Sequence, residues 1–298
     1  MATITSENAA LAIVKFVAAK ALPVLESNLF MAKLVNRDYE ATLAQAGDTV
    51  NVPVAPRLAA NNIAETGSVA AQNAVLGNIP VTLTSHVEST FSIPDVAKAL
   101  VNVSLAETLM QPAMLAIAEK IENDLLNLGP LFTFNTALGA SNTPPTEALL
   151  DSVETQFFKS KVPTSSPKYV ACSADFYGAI RQIPRFTEQQ TIGSGDTIVS
   201  GEFGKLKNLN FFRSQLIAPV STTTSNLAFT PDAIALVVRK LDLPLPGMGV
   251  VATYAEYKNL TLRVLMSYNP NTLGAQFTCD VLYGVAALRQ QAAVQVLS

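Results

Sequence analysis

The chain has 298 residues with 20 Lys and Arg, 23 Asp and Glu and a formal net charge of −3, and charged residues make up 14% of it, well below the roughly 25% usual for a soluble globular protein. Apolar residues reach 49% and mean hydropathy is +0.29, so part of the surface is expected to be hidden from water. The basic residues are scattered without a dense run, which argues against tight nucleic-acid binding. A membrane is not the expected hiding place. The most apolar stretch, 9 to 19, is interrupted by Lys15 and falls short of the roughly 20 residues a spanning helix needs. Residues 1 to 8 carry Glu7 and no basic residue, so a secretory signal is not expected either, and the product reads as cytoplasmic. Burial against other protein chains remains.

In chain order, residues 7 to 21 have helix-forming composition but are apolar nearly all round, so this arm needs partners on several sides. From Asp48 the period becomes two: Val50, Val52 and Val54 share a face, and Pro53 assigns the strand to an edge. A second, unusually long strand is predicted where Ile79, Val81, Leu83, Val87, Phe91 and Ile93 alternate with Thr82, Thr84, His86, Glu88, Thr90 and Ser92. The two read as an antiparallel ribbon joined by a long, flexible tip from Arg57 to Asn78, too long for an ordinary hairpin loop. Two strands alone are marginal in water, and between 48 and 93 the charges are Asp48, Arg57, Glu65 and Glu88. The ribbon's apolar face is therefore expected to rest on another surface, and a second subunit is the candidate. The residues assigned to such an interface are Val50, Val52, Arg57, Glu65, Val81 and Leu83 on the ribbon, with Leu11 and Phe16 on the arm.

Pro94 and Asp95 open a short helical piece. Ser104 and Glu107 form a capping box for a long helix over 105–128, with Leu105, Leu109, Met114, Ile117, Ile121, Leu125 and Leu128 as its buried stripe. A bend is expected near Pro112, and Gly129-Pro130 ends the helix. Pro144-Pro145 opens a further helix with Leu149, Leu150, Val153 and Phe157 inward, followed by a strand from Lys168 to Cys172 and a short helix from Ala174. The last third reads as strands: 227–229, 234–238, 251–257, 260–266 and 276–288.

A search for chemistry yields no enzyme signature. His86 is the one histidine and sits mid-strand, without the base–nucleophile pairing that covalent catalysis needs; it reads as a solvated or interface residue. Gly204-Lys205 fails as a phosphate loop, because Leu206 stands where Ser or Thr must hold magnesium and Val199 where the first glycine must be. Gly193, Gly195, Gly201 and Gly204 read as a flexible surface loop. Glu119, Glu122 and Asp124 read as a polar helix face. Cys172 and Cys279 lack paired-cysteine spacing and read as buried free thiols. No catalytic, cofactor or metal site is expected.

The order of elements, and the words VNRDYEATLAQAGDTVNVPVAPR at 35–57, AIAEKIENDLLNL at 116–128, ALLDSVETQFFKSKVPTSSPKYVACSADFYGAI at 148–180, GDTIVSGEFGKLKNLNFFRSQLI at 195–217 and DVLYGVAALRQQAAVQV at 280–296, resemble tailed-bacteriophage major capsid proteins of the Hong Kong 97-like fold. The resemblance covers nearly the whole chain. It implies an α+β fold with an N-arm (1–46), an extended β-ribbon loop (47–93), a peripheral domain with the spine helix (94–134), an axial domain (135–261) and C-terminal strands of the peripheral domain (262–298). It implies a non-enzymatic subunit that assembles as hexamers and pentamers into an icosahedral head. The implied partners are a separate scaffolding protein, since the arm begins close to the shell domain, a portal protein, and packaged double-stranded DNA touched by weak non-specific contacts. No membrane is implied, and the location is the virion, assembled in the host cytoplasm. Some members cross-link through a lysine on the extended loop. This sequence has none between Lys33 and Lys98, so a non-covalent shell is expected. A cellular encapsulin-like nanocompartment shell is the alternative, and a soluble α+β enzyme a remote one.

Overall fold

A computed structural model describes residues 14–15, 30–38, 49–54, 58–62, 71–72, 76–96, 105–183, 205–217, 223–245, 248–257 and 260–298. Strands β1 (Thr49–Val54) and β2 (Gly77–Thr82) form an antiparallel pair with Val50 opposite Val81 and Val52 opposite Ile79. Strand β3 (Ser85–Pro94) belongs to a different sheet. The predicted long strand 79–93 is thus corrected to two strands, broken at Leu83-Thr84. Odd-numbered residues keep facing inward across the break, so the alternation is continuous although the hydrogen-bonded partner changes.

Helix α1 (Leu105–Leu126) has Pro112 inside it and runs into a 3-10 turn at Gly129–Leu131. It therefore ends two residues before the predicted Leu128. At about 1.5 Å per residue it spans about 33 Å. Its buried face includes Met114, Ile117, Ile121 and Leu125 as predicted, and also Met110, Ala113, Ala118 and Glu122; Leu109 is half-buried. A two-residue strand β4 (Leu138–Gly139) precedes helix α2 (Glu147–Lys159), which is capped by the Thr146 hydroxyl accepting from Leu149 N–H. Next come β5 (Lys168–Cys172) and helix α3 (Ala174–Arg181), capped by Ser173. The remaining strands are β6 (Lys205–Leu206), β7 (Leu209–Arg213), β8 (Ser225–Phe229), β9 (Ile234–Arg239), β10 (Val250–Tyr257), β11 (Leu260–Asn269), β12 (Gly274–Ala287) and β13 (Ala293–Leu297).

Two larger sheets result. One runs β4-β13-β8-β5-β7-β6, and the other runs β10-β11-β12-β3 with β9 continuing alongside β12. Helices α2 and α3 pack on the first through Leu150, Val153, Phe157, Phe176 and Ile180. Helix α1 fills the space between the two sheets, where Met114, Ile117, Ile121 and Leu125 meet Phe229 and Ala293 of one and Val264, Cys279 and Tyr283 of the other. The strand pairings run across the domain limits read from the sequence. The boundary at 261/262 cuts the hydrogen-bonded hairpin β10–β11, and the segment 262–298 divides between sheets, because β13 pairs with β8 and β4. Strands β7 and β13 escaped the sequence reading.

Candidate functional site

The ribbon was the candidate interface, and the structure shows what its root touches. Val50, Val52, Val81 and Leu83 are buried against Ala235, Val237 and Leu288 of the same chain. In this chain its own β9 and the end of β12 cover these four side chains. Each such burial is worth about 1.5–3 kcal/mol. Gly284 makes the close approach possible, since a Cβ there would lie 2.4 Å from the Thr82 carbonyl oxygen. The ribbon thus lies across the outer face of the β9–β12 end of its sheet. Arg57, Glu65, Leu11 and Phe16 lie outside the described residues, as do the capping-box Ser104 and the glycine-rich loop 193–204. Of the tip, Leu58 and Leu76 are 64% and 65% exposed, and the Gln72 side-chain amide hydrogen-bonds both backbone groups of Ala59. A cavity of about 470 Å³ opens beside Val54, lined by Phe134, Lys161, Val162, Leu288 and Arg289.

Beyond the ribbon, the outer face of the same sheet is polar. Register sets Glu88, Asp280, Arg263 and Tyr254 in one row across β3, β12, β11 and β10. Asp280 is buried and its Oδ1 accepts from Arg263 Nε at 3.0 Å, while its Oδ2 accepts from Arg263 Nη2 and also lies 3.0 Å from His86 Nε2. The hydrogen bond to Asp280 pushes the Arg263 pKa up. His86, expected to be a solvated or interface residue, is half exposed and is tied to a residue 194 positions away. That link has no local signal. The cluster is an electrostatic brace: the carboxylate that could have served as a base is committed to a guanidinium.

The expected polar helix face on α1 is corrected at Glu122. Glu119 is exposed, but Glu122 is buried and its carboxylate accepts the backbone N–H groups of Phe30 at 2.5 Å, Met31 at 2.9 Å and Ala32 at 3.4 Å. Burial raises its pKa, with the three backbone bonds and Lys33 working against that rise. Asp124 accepts from the Tyr283 hydroxyl at 2.7 Å; burial, and then this bond, push the Tyr283 pKa up. Both cysteines are free and buried as expected, and burial pushes each thiol up to about 12, so neither is a thiolate nucleophile at neutral pH. Among the described residues no group of three or more His, Cys, Asp or Glu is placed to hold a metal ion, and no helix is long and apolar enough to cross a membrane.

No family model and no curated protein matches the sequence. Solved structures do match its fold. One from Mycobacterium phage Che8 superposes with a TM-score of 0.69 at 18% identity, over 90% of each chain. The capsid structure of cyanophage P-SCSP1u follows at 0.61 and 13% identity, over 84% of this chain and 83% of that one. The chain has the tailed-phage capsid fold. A virus-like particle from Pyrococcus furiosus shares it, at a TM-score of 0.53 and 10% identity over 95% of this chain and 98% of that one.

Proposed function

We propose that this chain is the major capsid protein of a tailed phage, assembling as hexamers and pentamers into the icosahedral head around double-stranded DNA. The observation that carries the reading is the likeness to the Mycobacterium phage Che8 structure over 90% of both chains. Low charge content and exposed apolar side chains support it. Met248, Tyr268, Leu273 and Val96 are all more than half exposed. Strand register brings them to one end of the β10-β11-β12-β3 sheet, where Val250 lies opposite Ser267 and Gly274 opposite Pro94. Such side chains are expensive to leave in water and suit contact with further copies.

In this reading α1 is the spine helix, and with β3 and β9–β12 it forms the peripheral domain. The sheet of β5, β7, β8 and β13 with α2 and α3 is the axial domain, residues 1–46 are the N-arm, and the ribbon with its tip is the extended loop. The root of the ribbon is fixed to its own subunit. The intersubunit part is the tip, 55–76, with Arg57 and Glu65, together with Leu11 and Phe16 on the arm. A scaffolding protein and a portal protein are the further partners. The net charge of −3 favours weak, non-specific contact with the packaged DNA. The location is the virion, after assembly in the host cytoplasm. Without a loop lysine the shell is held non-covalently.

Electron microscopy and sedimentation of the expressed protein, with and without its neighbouring genes, test this. Closed icosahedral shells are expected; a small oligomer under every condition would remove the reading. A cellular nanocompartment shell is the second reading, favoured by the likeness to the Pyrococcus furiosus particle. Nuclease-protected DNA inside native particles decides for phage, and an enclosed protein cargo without DNA for the nanocompartment.

A further inference from the structure

Two surface features are complementary and lie too far apart to meet within one chain. The first is the cavity of about 470 Å³ beside Val54, between the ribbon root, the turn after α2 and the 3-10 turn Gln290–Ala292. Its lining is apolar at Val54, Phe134, Val162 and Leu288, and the Phe134 ring is 58% exposed. Of its charged lining residues, Lys161 and Arg289 outnumber Asp232. Arg289 and Asp232 lie 3.6 Å apart with both side chains more than half exposed, so that pair is loosely held. The second feature is the segment 241–245 after β9, with the sequence LDLPL. Leu243 and Leu245 are 41% and 70% exposed, and Asp242 is exposed between two leucines. Its backbone is nevertheless fixed. The Tyr254 hydroxyl donates to the Leu241 carbonyl, Arg263 Nη1 donates to the Asp242 carbonyl, and Lys240 Nζ lies 4.0 Å from the centre of the Tyr254 ring. Leu243 and Leu245 are each followed by a proline in the sequence, which restricts them to extended backbone. Arg263 is itself held by Asp280, so the brace on the open face also carries this segment. A fixed backbone that leaves apolar side chains in water suits a binding element, because its ordering cost is met before contact.

We propose that segment 241–245 of one copy of this chain docks in the cavity of a second copy, with Leu243 and Leu245 against the apolar lining and Asp242 facing Lys161 and Arg289. Shape and charge agree: a stiff, protruding segment with one carboxylate among leucines meets an apolar hollow with an excess of positive charge. The same chain does not supply the occupant. Asp280, whose partner Arg263 holds the segment, and Leu288, which lines the cavity, are eight residues apart along an extended strand, about 26 Å. From Asp242 the chain runs on to Val250, which lies opposite Ser267 and so beside Gln276, further still from Leu288. The contact joins two different patches and is therefore head-to-tail, an arrangement that gives rings where its rotation closes. Hexamers and pentamers need contacts of that kind. Docking of this sort rests on the reading that copies of this chain associate.

Photo-cross-linking of the full-length chain tests it. Chains with photo-leucine in place of Leu245 are mixed with isotope-labelled wild type, both under assembly conditions and as concentrated unassembled protein. Mass spectrometry should find cross-links from position 245 to residues 160–166 or 288–292 of the labelled copy. Cross-links confined to one chain, cross-links to another surface such as the ribbon tip 55–76, or none between copies would each overturn the proposal, whether or not shells form. Should the chain form no shells yet give this cross-link, the shell reading fails and the docking stands. Charge reversal supplies a second readout. Asp242→Lys, and separately Lys161→Glu with Arg289→Glu, should each lower the yield of this cross-link several-fold, and the three changes together should restore most of it. A loss caused by local unfolding would not be rescued by changing the opposite patch, so a combined variant no better than its parents would count against the charge contact.

Discussion

The two large sheets differ in how many faces they bury. In the β4-β13-β8-β5-β7-β6 sheet, neighbouring residues enter different cores: Ala171, Leu227, Phe229 and Ala293 point toward α1, while Val170, Cys172, Ala228 and Val294 point toward α2 and α3. In the other sheet one face is closed by α1, and over β3 the opposite face carries His86, Glu88, Thr90 and Ser92, all exposed. Only at its β9 end does the ribbon cover that second face. A sheet buried on both sides can meet neighbours only at its rims. A sheet whose second face is covered only at one end keeps the rest of that face for water or for other molecules, which makes it the adaptable half of the subunit.

The contrast can be broken most severely from the two-sided sheet. Phe229→Ala removes a fully buried ring next to Ala171 and Tyr169 and should cost about 3–5 kcal/mol in urea unfolding of the unassembled subunit; a cost below 1 kcal/mol would show that the site is not tightly packed. Next in size, Gly284→Val drives side-chain carbons into the Thr82 carbonyl. It should destabilise by about 1–3 kcal/mol and raise proteolysis within 77–83, since the ribbon must lift from its seat. Unchanged ribbon cleavage would mean that the seat tolerates the displacement.

On the one-sided sheet the brace is the sensitive point. Asp280→Ala leaves Arg263 without its carboxylate and should cost about 1–3 kcal/mol, whereas Thr90→Ala two strand positions from Glu88 should stay within about 0.5 kcal/mol. Equal effects of the two would erase the distinction between brace and open face. The smallest effect on the subunit is expected at the ribbon tip. Leu58→Ser with Leu76→Ser should shift subunit stability by no more than about 0.5 kcal/mol, yet reduce the yield of closed shells by sedimentation; normal shells would move the interface away from the tip.

What the sequence by itself determined are the local periods. Alternation in 50–54 and 79–93 assigned the inward residues of β1, β2 and β3 correctly, the spacing of Met114, Ile117, Ile121 and Leu125 placed the buried stripe of α1, and the strand at Lys168–Cys172 was legible to the residue. Strands β7 and β13 were not: both are five residues long, and AVQVL enters cores from both faces, with Ala293 in one and Val294 and Val296 in the other, leaving it no clean period of two. Tertiary structure decided the pairings: β2 with β1 but β3 with β12, β9 beside β12, β13 back beside β8. It also decided the fate of two carboxylates. Glu122 and Asp280 look like ordinary polar positions on a helix and a strand, and became buried acceptors for groups 17 to 194 residues away. Side-chain direction is written in neighbours three or four residues apart on a helix and two apart on a strand. Which distant strand or backbone arrives on that face depends on how the whole chain fills its cores, and no local window contains that information.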